Sequence, residues 1–341
     1  MKGAGMKILL DAMGGDNSPD EMIKGAVEAI PDLESEIILI GDENVIKNKV
    51  KEIYNKEDIS EISPRLKIKH ASEVISNEET PTEAIKTKKD SSMVVGFQML
   101  KNGEGDVFVS AGSTGAFMAG GLLQVGRIKG VDRPALCPML PTYDGKGFML
   151  IDCGANTNCR PINLVQFAKI GSIYMQQVEK RENPKVGLLN IGAEESKGND
   201  LLKESYAQLK EAKDIHFYGN VEGRYIFDGD VDIVVADGFT GNITLKVIEG
   251  MGATVNKMLK EELYKTPWRK FLAFLLMPAF KNFKKRMDYS EYGGALLLGI
   301  NKPMVKCHGS AKAKLVKITL LQAEKFAKNK VVESIQENID K

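Results

Sequence analysis

The chain has 341 residues, 43% apolar and 27% charged, a globular balance that excludes a disordered or fibrous protein. Its 47 Lys and Arg against 46 Asp and Glu leave a formal charge of +1, without the basic excess of a dedicated nucleic-acid binder. The length allows one large or two ordinary domains.

Residues 6–11 read as a first strand and 20–30 as the helix after it; 36–41 is a second strand, followed by a helix over 44–54. Residues 106–110, 147–152, 185–191 and 231–237 repeat the strand theme, with helical patterns at 114–127, 163–180, 200–212 and 242–263. The strand runs are nearly continuous in apolar residues, as in parallel strands covered on both faces. This rhythm predicts a three-layer α/β/α sandwich with a mostly parallel sheet. No repeat of fixed period, low-complexity tract or Pro/Gly/Ser linker interrupts it, so one catalytic domain over 1–341 is expected. Asp144-Gly145-Lys146-Gly147 reads as a turn before a strand.

Cys137, Cys153, Cys159 and Cys307 show no C-x-x-C or zinc spacing, and no signal peptide precedes Met6, so reduced thiols in a cytoplasmic protein are expected. Cys153 and Cys159 flank a turn, but two small residues beside a strand end are the preferred reading over a redox pair. His70, His216 and His308 are too scattered for a metal site built on histidine alone. No apolar stretch approaches the roughly 20 residues of a membrane span.

The most informative residues lie just beyond the strands. Five runs pass directly into small, polar, Gly-containing loops at residues 11–16 (DAMGGD), 110–115 (SAGSTG), 152–156 (DCGAN), 190–194 (NIGAE) and 237–242 (DGFTGN). The carboxyl ends of parallel strands share one edge of a sheet, where ligands bind. Glycine admits close approach, and a following helix offers unpaired N–H groups, a combination suited to an anion. Ser113 and Thr114 add hydroxyls at the head of one helix, and Thr240, Gly241 and Asn242 repeat the arrangement at another. Any one loop is equally well read as an N-cap and a tight turn; five together favour a binding edge. Lys197 is either a phosphate counter-charge or a solvated loop lysine, and His308-Gly309-Ser310 either a capped turn or a polar group on the rim. The chain lacks the G-x-G-x-x-G, G-x-x-x-x-G-K-[ST] and G-x-S-x-G signatures, which disfavours a standard dinucleotide site, a P-loop and a serine-hydrolase elbow.

These loops, with GRIKGVDRPAL (126–136), EESKGN (194–199), VADGFTGN (235–242), YSEYGGA (289–295) and HGS (308–310), resemble the bacterial acyl-ACP:phosphate acyltransferase family of phospholipid synthesis, over nearly the whole chain. The resemblance implies conversion of acyl-[acyl carrier protein] and inorganic phosphate to acyl-phosphate and free carrier protein, feeding glycerol 3-phosphate acylation by a membrane acyltransferase. It implies a fold similar to phosphotransacetylases and isocitrate dehydrogenase, a homodimer, and no metal or organic cofactor. Asn17 stands where the family often has His, Ser113 where many members have Asn, and residues 1–5 read as an extension.

On this reading Gly112, Ser113, Thr114 and Lys197 bind phosphate, Asn242 polarises the thioester carbonyl and Asp237 orients neighbouring groups. Asp11, Gly14, Gly15, Asp16, Asn156, Thr240, Gly241 and His308 line the substrate edge, although Asp11, Asp16 and Asn156 could each cap a helix instead. Two other functions stay open: a phosphotransacetylase acting on acyl-CoA, and a non-catalytic acyl- or lipid-binding protein.

Residues 257–286 hold nine basic residues against Glu261 and Glu262, a net of +7 that leaves −6 for the rest of the chain. Trp268 and an apolar run over 271–280 lie inside, and Pro267 and Pro278 should break the helix into a projecting hairpin within 243–290. Three uses compete: a dimer interface along Ile248, Met251, Val255, Met258 and Leu263, docking of the acidic carrier protein, and contact with an anionic membrane or a membrane acyltransferase.

Overall fold

In chain order the computed structural model begins with β1 (Lys7–Asp11), α1 (Asp20–Ala29), β2 (Glu36–Gly41), α2 (Glu43–Tyr54), β3 (Leu66–His70), α3 (Pro81–Thr87) and α4 (Ser92–Lys101). Next come β4 (Val107–Ser110), α5 (Thr114–Gly120), β5 (Ala135–Cys137), β6 (Met139–Leu140), β7 (Phe148–Ile151), α6 (Pro161–Gln177) and β8 (Lys185–Asn190). Then follow α7 (Asp200–Glu211), β9 (His216–Glu222), β10 (Ile233–Val235), α8 (Gly238–Leu263), α9 (Pro267–Leu275) and α10 (Met277–Met287). The chain closes with β11 (Ala295–Leu298), β12 (Met304–Lys306), α11 (Ala313–Lys328) and α12 (Val331–Asn338). The structure describes residues 5–287 and 289–339; residues 1–4 of the expected extension, and residue 288 of the expected hairpin, lie outside them.

The described residues fall into two compact units, one drawn from 1–138, 169–183 and 292–341, the other from 139–168 and 184–291. Each has its own sheet, where the sequence suggests a single continuous one. No linker marks the division because each unit is assembled from separate stretches, and the 168/169 boundary falls inside α6.

In the first unit the order is β3-β2-β1-β4-β12-β11-β5, parallel from β3 through β12, with β11 antiparallel to both its neighbours. Residues of β1 beyond Lys7 and all of β4 are buried, which explains their unbroken apolar character. Phe97, Phe108 and Phe117 pack with ring centroids 5.2–6.0 Å apart and join α4, β4 and α5. In the second unit the order is β6-β7-β10-β8-β9, parallel from β7 to β9, with β6 and β7 forming a hairpin whose loop, 141–147, contains the expected 144–147 segment and turns where Gly145 N donates to Thr142 O. Its core gathers Phe148, Leu150, Leu189, Val221 and Val234. With helices on both sides of the sheets, this is the expected α/β sandwich.

Two boundaries differ from the sequence reading for local reasons. α5 gives way to a π-helical turn, Gly121–Val125, and stops before Gly126, whose φ of +87° ends the helix short of residue 127. α8 begins at Gly238, four residues before the expected start, because Asp237 is its N-cap: the carboxylate accepts from the N–H groups of Phe239 and Thr240, each at 3.0 Å. Thr240, Gly241 and Asn242 therefore lie in the first turn of α8, not ahead of it.

Pro267 is the first residue of α9 and Pro278 the second of α10, so both prolines start helices as their missing N–H predicts. Beyond Gly250 most of α8, α9 and α10 is exposed. The Arg286 guanidinium donates to the Tyr143 carbonyl and sits over its ring at 5.8 Å, tying α10 to the β6–β7 turn. Ile248 packs toward the second unit's core, whereas Met251, Val255 and Met258 further along the helix are exposed, as is Val247.

Candidate active site

In the first unit, β1 leads outward to β2 and β3 while β4 lies on its other side, so the loops after β1 and β4 diverge at a switch point, the usual ligand crevice of such sheets. β12, parallel to β4, brings a third loop to the same edge. Asp11 is only 1% exposed and holds the edge together. Its carboxylate accepts from Met13 N (3.1 Å), Gly14 N (3.0 Å) and the Ser110 hydroxyl (2.6 Å), and Ser110 Oγ in turn accepts from Gly112 N (3.1 Å). Gly15, at φ +106°, has no room for a side chain: a Cβ would stand 2.9 Å from the Ala111 Cβ and 3.0 Å from the Gly309 carbonyl. Asp16 N donates to that same carbonyl (2.8 Å), and the Asn17 amide donates to Ser310 O and Ala311 O at 3.1 and 3.3 Å.

Ser113 is the N-cap of α5, its hydroxyl accepting from Ala116 N at 3.4 Å, and Thr114 beside it is exposed. His308 Nδ1 accepts from Ser310 N at 3.2 Å and lies 2.9 Å from the Ser310 hydroxyl, an arrangement that puts the neutral ring's proton on Nε2. Asp11, Gly14, Gly15, Asp16, Gly112, Ser113, Thr114 and His308 thus share one edge of one sheet.

The second unit builds an edge from the loops after β7, β10 and β8, which are neighbours in its sheet. Asp152, fully buried, accepts from Ala155 N (3.0 Å), Asn156 N (2.7 Å) and the Asn156 side-chain amide (2.9 Å), and Asn156 O accepts from Gly238 N (2.8 Å). Asn156 is thereby a brace between the β7 loop and α8. Gly241 is required by close approach, since a Cβ there would run into the Asp152 carbonyl. Asp237 caps α8 and also receives the Thr240 hydroxyl at 2.7 Å. Asn242, at the end of the same motif, is exposed; its amide lies against Gly154 and has no hydrogen-bond partner among the described residues.

The loop that carries Lys197 is pinned by two buried carboxamides. Asn190 donates to Lys197 O (3.2 Å) and Asn220 Oδ1 (3.1 Å) and accepts from Ile191 N (2.8 Å), while Asn220 donates to Glu194 O (2.9 Å). Glu195 is tied to Lys210 (2.7 Å) and the Tyr206 hydroxyl (3.2 Å). The stem of Lys197 lies over Gly192, and its ammonium is exposed with no ion pair among the described residues. Asn156, Lys197, Asp237, Thr240, Gly241 and Asn242 are therefore gathered at this second edge, some as scaffold and two, Lys197 and Asn242, with free donors.

Sequence reasoning assigns no role to Ser110, Asp152 and Asn190 within the loops it singles out and passes over Asn220 and Lys306, all more than nine-tenths buried. The available signal is that a polar residue closes an otherwise apolar strand run, where its side chain must find a partner. Cys153 and Cys159 bond separate carbonyls, those of Leu150 and Asn156, and burial pushes the Cys153 and Cys307 thiols up. No group of three or more His, Cys, Asp or Glu suited to a metal ion forms among the described residues.

Solved structures share this fold. A phosphotransacetylase from Streptococcus pyogenes superposes with a TM-score of 0.63 at 15% identity, covering 95% of this chain and 94% of that one. The EutD phosphotransacetylase from Staphylococcus aureus gives 0.60 at 17% identity with the same coverage. In sequence, residues 6–334 match the family model described as fatty acid synthesis protein. The phosphate acyltransferase of Thermoanaerobacter pseudethanolicus is 50% identical over 336 residues, 98% of each chain. That of Clostridioides difficile is 46% identical over 336 residues, 98% of this chain and 97% of the relative. Matched along almost its whole length at half identity, this chain belongs to the phosphate acyltransferase family.

Proposed function

We propose that the protein transfers an acyl group from acyl-[acyl carrier protein] to inorganic phosphate, producing the acyl-phosphate used for glycerol 3-phosphate acylation. A phosphate oxygen attacks the thioester carbonyl carbon, a tetrahedral oxyanion forms, the C–S bond breaks, and the carrier thiolate leaves and takes up a proton. Phosphate is already nucleophilic at neutral pH, so the work is to position an anion beside a carbonyl and to stabilise the oxyanion. Gly112, lacking a side chain, lets phosphate approach the N–H groups and hydroxyls of Ser113 and Thr114 that open α5, and Lys197 supplies the counter-charge. Asn242 donates to the carbonyl oxygen as charge develops there, with Asp237 holding the turn that presents it.

The observation that carries the reading is the pairing of free donors, the Lys197 ammonium and the Asn242 amide, with cysteine thiols that are held on backbone carbonyls and not poised to attack. Direct attack by phosphate needs such donors and no enzyme thiolate. The positively charged hairpin supports an acidic carrier protein as acyl donor, and the same segment supports a homodimer and peripheral attachment to an anionic membrane from the cytoplasm. Incubating the chain with phosphate and either acyl-carrier protein or acyl-CoA, then trapping product as the hydroxamate, tests the proposal. Product with the carrier protein is expected. Product with CoA alone would favour a phosphotransacetylase, and no phosphate-dependent product would leave an acyl-binding protein.

A further inference from the structure

β1, β4 and β12 are adjacent parallel strands, with Leu10 opposite Val109 and Lys306 opposite Ser110. Asp11, Ser110 and Lys306 therefore end the three strands in one row, and residues in register on neighbouring strands face the same side. All three are buried, at 1%, 0% and 6% exposure. Ser110 donates to Asp11 at 2.6 Å, and the Lys306 amine donates to the carbonyl of Cys307, the residue just beyond the strand, so it is turned toward the loop edge.

This row poses an electrostatic problem for an anion. The N–H groups around Gly112 are arranged by a loop that is itself folded on the buried Asp11 carboxylate. A phosphate dianion held within several ångströms of that carboxylate would be repelled by on the order of tenfold or more in affinity, even at a moderate effective dielectric. A buried cation in the same row cancels that field and leaves the N–H groups and hydroxyls to act.

Resting on the acyl-transfer reading above, we propose that Lys306 is a positioning residue for phosphate, offsetting the Asp11 carboxylate beneath the Gly112, Ser113 and Thr114 loop. The test measures initial rates of acyl-phosphate formation by the full chain against inorganic phosphate, with titration calorimetry of phosphate alone beside it. Lys306→Met should raise the phosphate KM about tenfold or more while kcat and the KM for the acyl donor stay within about twofold. Lys306→Arg should recover most of the loss, and Asp11→Asn added to Lys306→Met should recover part of it. A folded Lys306→Met chain with the wild-type phosphate KM would overturn the proposal, as would a double variant no better than Lys306→Met. Should Lys306→Met not fold, Asp11→Asn alone decides, because removing the repulsion must tighten phosphate binding; unchanged or weaker binding refutes it. Calorimetry reads the role of Lys306 even if wild-type chain makes no acyl-phosphate, so failure of the acyl-transfer reading and failure of this proposal are distinguishable.

Discussion

Asn242 and Lys197 stand apart from their polar neighbours because, among the described residues, nothing takes up their donors. Removing an oxyanion donor costs about 100-fold or more in turnover, so Asn242→Ala should lower kcat by that order with the fold intact. Lys197→Ala should act on phosphate, raising its KM. Hydroxamate trapping under steady-state conditions reads both, and near-native rates in both variants would contradict their assignment. Other residues quoted from the same motifs have structural work. Asp11 gathers two N–H groups and a hydroxyl, Asn156 braces the start of α8, and Gly241 makes room for the Asp152 carbonyl. Sequence places each of them at a strand end and so at the right edge. It does not separate a carboxylate that faces substrate from one that folds the loop, because that depends on partners such as Ser110 from the neighbouring strand.

At the level of elements, the long apolar runs of β1, β2, β4, β7 and β8 are legible in the sequence because both their faces are buried. β5, β6, β11 and β12 are two to four residues long and carry no period of their own; pairing with strands distant in sequence defines them. β3 and β9 are edge strands whose partly exposed residues blur the apolar pattern. The start of α8 is hidden by two glycines that look like loop residues but are there for close packing under the Asp237 cap. The hairpin, by contrast, follows from its prolines. Trp268, Phe274 and Leu275 are 66%, 70% and 58% exposed among lysines and arginines, the composition of an interfacial membrane segment. Sedimentation with anionic vesicles should therefore be weakened in Leu275→Glu; equal sedimentation of variant and wild type would remove membrane contact from the hairpin's roles.

For the molecule as a whole, a net charge of +1 conceals a hairpin of +7 and a remainder of −6, so the charge balance concerns partners more than fold. Helix α11 is stapled to its unit through Glu324, 8% exposed, which accepts from Glu34 N (3.0 Å), Ser35 N (2.8 Å) and the Ser35 hydroxyl and pairs with Lys328 at 3.0 Å. Burial pushes this carboxyl up, but the Ser35 hydroxyl, Lys328 and the two N–H groups outweigh it and hold the pKa below the ordinary value. A depressed carboxylate stabilises the fold fully above its unfolded pKa of about 4.3, and that contribution fades as pH falls through the lower folded value. Glu324→Gln should thus lower Tm by a few degrees at pH 7 and narrow its deficit below about pH 4; thermal melts across that range check it, and a deficit that grows in acid would contradict the sign.

The proposed function reduces to one chemical claim: phosphate itself attacks the thioester of an acyl-carrier protein. The most direct measurement is a 31P NMR time course of the chain with acyl-carrier protein and inorganic phosphate, beside a count of free carrier thiol. A new acyl-phosphate resonance should rise one for one with released thiol and with loss of inorganic phosphate. Thiol release with the phosphate signal unchanged, or no reaction at all, would contradict it.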